Sequence, residues 1–412
     1  MPVGVYISVP FCRTKCSYCN FASDVFSKSA YENYVRRLVE DIQAAPDLAG
    51  QLHCELDMRT DSIYLGGGTP SILERGQLIG IFDAVRREFS VAPDAEVTVE
   101  CAPGTLTPSL IDTLLRCGVN RVSLGVQSLV DQEARAVGRL HTRATVLEEV
   151  SRLRAAGLDN INIDLIAGLP HQTGESWADS LAETIALGVP HASVYMLEVD
   201  EDSRLGRELI AGGTRYHAHF VPDEDATADF YQQACEWLNA AGIEQYEISN
   251  FARAGAESRH NLKYWTRQPY IGFGVDAHSM LGSETADFEA IRLSTPDSLE
   301  NYMNRAPHNV TPVSTQAAIE ESFFLGLRLN RGVDLGRLES EYSSEAMAQY
   351  FATIEQCVSE GLLGREGTTI RLTDRGRLLS NEVFARFLRE RQNAPAEGRE
   401  EERPGVKWEP AT

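Results

Sequence analysis

The first two hundred residues alternate short β-branched runs with longer amphipathic segments, and this alternation limits the possible folds more than any other feature. Strands that alternate with helices pair in parallel through right-handed crossovers. The pattern therefore predicts an α/β fold of six strand-helix units, either an open doubly wound sheet or a full or partial barrel. The predicted strands are Val3 to Val9, Ser62 to Leu65, Glu96 to Glu100, Arg121 to Gly125, Ile161 to Ile166 and Ala192 to Leu197.

The segments between these runs carry apolar residues at helical spacing. They predict helices at Ala30 to Ala44, Gln77 to Phe89, Pro108 to Cys117, Arg143 to Ala156 and Trp177 to Gly188. Further along, the alternation fades into a helix at Ala226 to Ala241 and then into a segment dense in polar and aromatic residues. The last part predicts a winged-helix-like domain, with helices at Ala317 to Arg328 and Ser344 to Glu360 and a hairpin around Leu363 to Leu372.

These features divide the chain into four predicted parts. Residues 1–215 form the barrel, and residues 216–310 form an extension that closes its mouth. Residues 311–390 form the winged-helix-like domain. The terminal stretch, residues 391–412, is rich in Glu, Arg and Pro and has little to bury, so it is predicted to be disordered.

Polar and glycine residues gather where the predicted strands end. A cysteine cluster follows the first strand, Gly66-Gly67-Gly68-Thr69 follows the second, and Glu100 ends the third. Gln127 follows the fourth strand, and Asp164 lies within the fifth. The carboxyl ends of the parallel strands of a barrel lie on one face, where active sites are built. We therefore expect these loops to converge on one site.

The cysteine cluster, Cys12-Arg-Thr-Lys-Cys16-Ser-Tyr-Cys19, has the spacing CxxxCxxC. Three closely spaced thiolates can bind three irons of a [4Fe-4S] cubane and leave the fourth iron open for a cofactor or substrate. The alternative is a structural zinc site, but such sites take four ligands, and no fourth Cys or His lies nearby in the sequence. The other five cysteines are scattered and are predicted to be buried thiols.

Composition disfavours several classes of protein. The formal net charge of -22 opposes generic binding to nucleic acid or to anionic membranes. No apolar stretch approaches the roughly 18 residues of a membrane helix, so no integral membrane segment is predicted. Cysteines that ligate metal rather than form disulfides indicate a reducing compartment, and the predicted location is cytoplasmic.

Two motifs resemble the radical SAM superfamily, and specifically its coproporphyrinogen-dehydrogenase branch: the run from Tyr6 through the cysteine cluster, and Gly66-Gly-Gly-Thr-Pro-Ser71. The resemblance implies a partial (β/α)6 TIM-like barrel with a C-terminal HemN-type domain. It also implies that the amino and carboxylate groups of S-adenosylmethionine (SAM) chelate the open iron. One electron from the cluster would then cleave the sulfonium to a 5'-deoxyadenosyl radical.

The resemblance assigns the remaining residues at the strand ends to SAM. Gly67, Gly68 and Thr69 supply a turn without bulky side chains, through which backbone groups approach the methionyl ammonium. Arg139 suits a carboxylate, because its guanidinium donates two parallel hydrogen bonds. The residues that the resemblance places around SAM are Tyr6, Tyr18, Gly67, Gly68, Thr69, Glu100, Gln127, Arg139 and Asp164.

Within this branch, the oxygen-independent coproporphyrinogen dehydrogenase has CxxxCxxCxC, whereas this chain has Phe21 at the position of the additional cysteine. That departure resembles the HemW group, as do the segments Gln245 to Ala252, His260 to Trp265 and Gly272 to Ser279. The group is expected to bind heme and to deliver it to apoproteins such as respiratory enzymes, with a homodimer as a further expectation. The resemblance thus implies a heme chaperone, in which the cluster and SAM serve assembly, dimerisation or gating of heme transfer rather than porphyrin oxidation.

The segment His260-Asn261-Leu-Lys-Tyr264-Trp265 is the candidate heme site implied by this resemblance. The imidazole of His260 can ligate heme iron, and Tyr264 and Trp265 can cover a face of the macrocycle. The alternative is that His260 and Asn261 brace a loop against the barrel. Three other histidines are candidates on the same chemical ground: His278, His217 and His219.

Three other functions stay open from the sequence alone. The enzyme alternative is the oxidative decarboxylation of coproporphyrinogen III by a radical SAM reaction, against which Phe21 counts. A radical SAM enzyme with an unrelated substrate would need only the same cluster, but the HemW-like second half argues against it. The winged-helix-like domain suggests a DNA-binding regulator, which the net charge opposes.

Overall fold

The computed structural model describes residues 1–389, and the predicted disordered tail, residues 391–412, lies outside them. The chain divides into two compact units, Met1–Ser314 and a second unit that begins at Thr315. The first unit is built on one large sheet. Its strands are β1 (Val3–Val9), β2 (Cys54–Glu55), β3 (Arg59–Gly67), β4 (Ser90–Cys101), β5 (Arg121–Gln127), β6 (Ile161–Ala167), β7 (His191–Met196), β8 (Glu244–Gln245), β9 (Asn250–Ala252), β10 (Tyr270–Phe273), β11 (His278–Ser283), β12 (Ala290–Ser294) and β13 (Asn309–Val313).

The helices of the first unit connect these strands. They are α1 (Lys28–Gln43), α2 (Ala45–Gln51), α3 (Arg75–Glu88), α4 (Pro108–Arg116), α5 (Asp131–Ala136), α6 (Arg143–Ala155), α7 (Gly174–Ala186), α8 (Arg204–Ala211), α9 (Glu224–Ala240), α10 (Arg259–Trp265) and α11 (Leu299–Met303). Thr107, Thr142 and Thr173 each accept a backbone N–H three residues later, and these caps fix where α4, α6 and α7 begin. None of the helices in residues 1–389 has the length and apolar character needed to cross a bilayer.

Six strands, β1, β3, β4, β5, β6 and β7, lie side by side in chain order and pair in parallel. β10 adds a further parallel strand beside β1, and β9 pairs antiparallel with β7. Every residue of β1 is buried, as expected for a strand covered on both faces. The predicted α/β class with six parallel strand-helix units is therefore confirmed.

The observed bounds refine the predicted ones. β1 matches its prediction at both ends, whereas β3 and β4 begin earlier than predicted. β3 also continues to Gly67, so Gly66 and Gly67 belong to the strand rather than to the loop that follows. Among the scattered cysteines, Cys235 is only partly buried, which corrects the prediction for that residue. It lies beside the buried face of α9, which is formed by Phe230, Tyr231, Ala234 and Leu238.

The second unit combines helices with a small antiparallel sheet in the order β14-β16-β15. Its elements are α12 (Thr315–Gly326), β14 (Val333–Asp334), α13 (Leu335–Tyr342), α14 (Ser344–Ala348), α15 (Phe351–Ser359), β15 (Leu363–Glu366), β16 (Thr369–Leu372), α16 (Asp374–Leu378) and α17 (Ser380–Ala385). The predicted hairpin is the pair β15 and β16. The prediction of a single helix at Ser344 to Glu360 is wrong, because the chain turns between α14 and α15. At this turn the buried Tyr350 packs against Phe323, with ring centroids 5.1 Å apart.

Candidate functional site

The three cysteines of the motif lie on the loop that follows β1. Cys16 is buried, and Cys12 and Cys19 are partly exposed. A tight turn brings the N–H of Cys19 to the carbonyl of Cys16 at 3.3 Å, and the N–H of Ser17 donates to Val137 O at 3.1 Å. Among residues 1–389, no three His, Cys, Asp or Glu side chains are arranged to hold a single metal ion. A cubane has its irons at separate corners, so its thiolates lie further apart than ligands of one ion.

Polar groups from neighbouring loops reach these sulfurs. The Thr69 hydroxyl donates to Cys12 Sγ at 3.7 Å, and Arg139 Nη1 donates to Cys16 Sγ at 3.5 Å. Burial raises the pKa of the Cys12 thiol, and it raises the pKa of Cys19 to about 11. Both thiols are therefore neutral at physiological pH without iron, and cluster binding would be coupled to proton release.

The glycine run at the end of β3 lies directly against the loop that carries the three cysteines, which we call the cluster loop. The N–H of Gly68 donates to Val9 O at 2.9 Å, and the N–H of Thr69 donates to Phe11 O at 2.8 Å. A Cβ at Gly68 would lie 2.6 Å from Val9 O and 2.8 Å from Phe11 O, too close for either backbone to accept. Gly67 has a φ of 96°, which other residues rarely adopt. The run is therefore needed for close backbone approach as well as for any contact with a cofactor.

Glu100 lies beside the glycine run. Its carboxylate accepts hydrogen bonds from Tyr64 Oη at 2.9 Å and from the N–H of Gly67 at 3.1 Å. A Cβ at Gly66 would come within 2.6 Å of Glu100 Oε1, so only glycine admits this carboxylate. Tyr64 and Gly66 are absent from the predicted SAM set. They are two residues apart on one strand, which places them on the same face, and this spacing could have identified them from the sequence.

A second partly buried carboxylate, Asp164, lies close enough to Glu100 for the two charges to interact. Asp164 accepts hydrogen bonds from Ser123 Oγ at 2.9 Å and from Asn162 Nδ2 at 2.6 Å. Burial, and then the charge of Asp164, raise the pKa of Glu100 well above its usual value, and burial raises the pKa of Asp164. Two poorly solvated carboxylates favour a cationic or hydroxyl-bearing ligand nearby.

Gln127 and Arg139 lie at the carboxyl end of β5: Gln127 is the last residue of the strand, and Arg139 follows α5. Gln127 has a φ of 71°, a conformation uncommon outside glycine. Within the described residues, its Oε1 is buried and has no hydrogen-bond partner. Arg139 donates to the carbonyl of Gly125 and to Cys16 Sγ, so its guanidinium links the end of β5 to the cluster loop. The unpaired oxygen of Gln127 is a candidate contact for a bound ligand.

The two aromatic residues of the predicted SAM set lie in different hydrophobic clusters. Tyr6 packs against Tyr64, with ring centroids 6.2 Å apart. Tyr18 packs against Ile166 and Leu169. Burial, and then the charge of Cys16, raise the pKa of Tyr18, which lies between Cys16 and Cys19 in the motif.

The segment from His260 to Trp265 lies on α10, away from the strand ends that carry the cysteines. His260 is fully buried, and both of its ring nitrogens are hydrogen-bonded: Nδ1 with Ser62 Oγ at 2.9 Å and Nε2 with Tyr264 Oη at 2.8 Å. Burial, and then the charge of Lys263, lower the pKa of His260 to about 3, so the ring is neutral. Neither nitrogen is available to heme iron in this arrangement.

The rest of this segment is equally enclosed. Four more of its residues are buried: Asn261, Lys263, Tyr264 and Trp265. The N–H groups of Arg259 and His260 donate to the Glu96 carboxylate at 3.0 and 3.1 Å, and Glu96 is the residue of β4 that pairs with Ser62 of β3. This geometry favours the alternative interpretation, in which the segment braces the barrel, over the expectation that Tyr264 and Trp265 cover a heme.

Comparison with known proteins extends these observations. Family models of the radical SAM superfamily and of the HemN C-terminal domain match residues 6–183 and 313–379. The heme chaperone HemW of Lactococcus lactis is 33% identical over 391 residues, covering 94% of this chain and 97% of that protein. The heme chaperone HemW of Bacillus subtilis is 34% identical over 390 residues, covering 94% and 99%. Coproporphyrinogen III oxidase (HemN) from Escherichia coli superposes with a TM-score of 0.79 at 23% identity, covering 94% of this chain and 90% of that one.

These matches differ in what they establish. At 23% identity, the superposition on HemN shows a shared fold. The two HemW relatives are more similar and cover nearly the whole length of both chains, from the cysteine motif into the C-terminal unit. The predicted membership is thereby confirmed: the chain belongs to the HemW group of the radical SAM superfamily.

Proposed function

We propose that this protein is a heme chaperone, which binds heme and delivers it to apoproteins such as respiratory enzymes. The observation that carries the proposal is the nearly end-to-end match with two proteins named heme chaperone HemW. Phe21 supports it, because the oxygen-independent coproporphyrinogen dehydrogenase has a cysteine at that position of the motif.

Membership of the radical SAM superfamily implies a [4Fe-4S] cluster and SAM as cofactors, and the residues present fit both. Three thiols on one loop can ligate three irons. Near them lie two partly buried carboxylates and the unpaired oxygen of Gln127, which suit an ammonium and ribose hydroxyls. Bound together, the two cofactors supply an electron and a sulfonium that it can cleave.

We assign these roles residue by residue. The proposed cluster ligands are Cys12, Cys16 and Cys19, and the proposed contacts of SAM are Tyr6, Tyr18, Gly67, Gly68, Thr69, Glu100, Gln127, Arg139 and Asp164. Arg139 places a permanent positive charge beside the sulfur of Cys16, which offsets thiolate charge there. Glu100 and Asp164 orient amino and hydroxyl groups by accepting their hydrogen bonds.

In a chaperone, these cofactors would govern when heme is held or released rather than oxidise a porphyrin. The enzyme alternative is oxidative decarboxylation of coproporphyrinogen III. The likeness to HemN supports the shared fold only and does not favour that reaction. The two functions differ in whether a porphyrin leaves chemically changed.

The experiment is anaerobic reconstitution of the cluster, followed by titration with heme while the Soret band is recorded. SAM and coproporphyrinogen III are supplied in parallel, and the products are analysed. We expect a saturable Soret shift at one heme per chain, no decarboxylated product, and transfer of the bound heme to an added apo-cytochrome. Formation of protoporphyrinogen would overturn the proposal in favour of the enzyme.

A further inference from the structure

A group of histidines lies beyond the carboxyl end of β6, outside the residues assigned to the cluster and SAM. It comprises His171, His217, His219 and Phe220, and we call it the histidine patch. His171 Nε2 lies 3.2 Å from His217 Nδ1. The rings of His171 and His219 pack on Phe220, with centroids 4.0 and 4.1 Å from that of the phenyl ring. The patch thus joins three imidazoles to one aromatic ring.

The backbone of the patch is held in uncommon conformations. His171 has a φ of 70° and His217 a φ of 62°. Side-chain-bearing residues in this region are infrequent, and they concentrate at functional sites. The N–H of His171 donates to Phe220 O at 3.0 Å, which joins the two segments that form the patch.

Apolar side chains are exposed in the patch and on α8, the helix that precedes it in the chain. Phe220 is 47% exposed, and Leu209 and Ile210 of the neighbouring α8 are 54% and 67% exposed. α8 is fastened to the patch, because the Glu208 carboxylate accepts a hydrogen bond from the N–H of Ala218 at 3.1 Å. A hydrated divalent cation gains nothing from such a surface, whereas a flat apolar macrocycle buries its faces there.

The hydrogen bond between two imidazoles also orients a ligand. His217 Nδ1 is held by His171, and within residues 1–389 no hydrogen bond engages His217 Nε2. A histidine that ligates a metal characteristically has its other ring nitrogen fixed by a hydrogen bond, most often to a carboxylate, a carbonyl or water, and here a second imidazole supplies that bond. His260 offers the opposite case, since both of its nitrogens are already bonded.

We propose that the histidine patch is the heme site of this protein, with His217 Nε2 as an axial ligand of the iron. His171 positions that imidazole, and Phe220 and the exposed residues of α8 contact the macrocycle. The assignment rests on the proposed chaperone function. A site at the surface suits a carrier, because the acceptor can reach the heme before the donor releases it.

The test is a heme titration of the full chain after anaerobic reconstitution, with His217→Asn as the main variant. Asparagine tolerates the left-handed backbone of this position, so the variant keeps its fold. We expect heme affinity to fall by about tenfold or more and the Soret maximum to move, with a smaller loss for His171→Asn. His53→Asn is the matched control, because His53 also has a positive φ of 51° and lies outside the patch. It should bind heme as the unaltered chain does.

Separate outcomes distinguish the site from the function. If the unaltered chain binds no heme, the proposed function fails. If it binds heme and His217→Asn binds it equally tightly, the function stands and the patch is the wrong site. Titration with Zn2+ alone addresses the rival ligand: zinc binding that depends on His217, together with heme binding that does not, would overturn the proposal in favour of a metal-ion site.

Discussion

The two ends of β3 carry similar polar residues and use them differently. At the carboxyl end, Tyr64 and Gly67 donate hydrogen bonds to Glu100, a partly buried carboxylate whose pKa is raised by loss of solvation. At the amino end, Ser62 bonds to His260, an imidazole that is neutral and bonded on both sides. In barrels of this kind the carboxyl end carries function and the amino end carries stability. A motif that is rich in polar and aromatic residues is therefore not by itself a functional site, whereas unsatisfied hydrogen-bonding groups at the carboxyl ends of the strands nominate one.

The comparison predicts its largest effect at the carboxyl end, for Gly68→Ala. The added Cβ would meet two backbone carbonyls, those of Val9 and Phe11, which cannot move without displacing the cluster loop. We expect the variant to retain little or no cluster, measured as iron per chain and as visible absorbance after reconstitution. Gly76→Ala is the matched control, because a Cβ there meets nothing within 4 Å. Full cluster content in Gly68→Ala would show that close approach is not required.

At the amino end, the prediction concerns stability. His260→Ala removes two buried hydrogen bonds and leaves a cavity, so the free energy of unfolding should fall by about 3 kcal/mol in urea titrations. Heme affinity of the folded variant should be unchanged. The exposed His278→Ala should alter stability by less than about 0.5 kcal/mol. A variant at His260 that lost heme while keeping its stability would restore this segment as the heme site and break the comparison.

The same histidine makes stability depend on pH. Its pKa is about 3 in the folded chain and about 6.5 in a free imidazole, so the unfolded state takes up the proton first. The stabilisation is complete above the unfolded pKa and is lost as the pH falls toward the folded one, by about 1.4 kcal/mol per pH unit. His260→Gln, which does not titrate, should show a flatter dependence when unfolding is measured at about pH 7 and about pH 5. Equal slopes would mean that the pKa of His260 is the same in the folded and unfolded states.

The sequence sufficed for features that are local or periodic. β1 begins and ends where predicted, and the spacing of Cys12, Cys16 and Cys19 places all three thiols on one loop. It did not suffice for His260, because the nitrogens of that ring are satisfied by Ser62, almost two hundred residues earlier, and by Tyr264. Whether a polar side chain is satisfied depends on long-range packing, which periodicity does not encode.

The histidine patch illustrates the same limit. His217 and His219 were candidates from their chemistry alone, but His171 was not among them. It lies 46 residues before His217 and reaches it only because the loop after β6 meets the segment after α8. A sequence pattern can nominate ligand types, but the second residue that orients them comes from the fold.

The smallest predicted effect is at Gln127, and it tests directly whether an unpaired buried oxygen marks a ligand contact. Its buried Oε1 lacks a hydrogen-bond partner in the described residues. If this oxygen accepts a hydrogen bond from SAM, Gln127→Leu should weaken SAM binding by about 1 kcal/mol, or roughly fivefold, in titrations of the reconstituted protein. Cluster content and stability should change little, because the folded chain makes no use of that oxygen.

Asn261 is the matched amide for this test, since its Oδ1 is also buried and unpaired within the described residues, yet it lies on α10. Asn261→Leu removes the same kind of group at the amino end of the strands, so it should leave SAM affinity unaltered and change only the free energy of unfolding. If both variants weakened SAM binding equally, an unpaired oxygen would report strain transmitted through the barrel rather than a contact with the cofactor. If only Gln127→Leu weakened SAM binding, the unpaired oxygen of Gln127 would be assigned to a contact with SAM. The unpaired oxygen of Asn261 would then reflect only imperfect packing of α10 against the sheet.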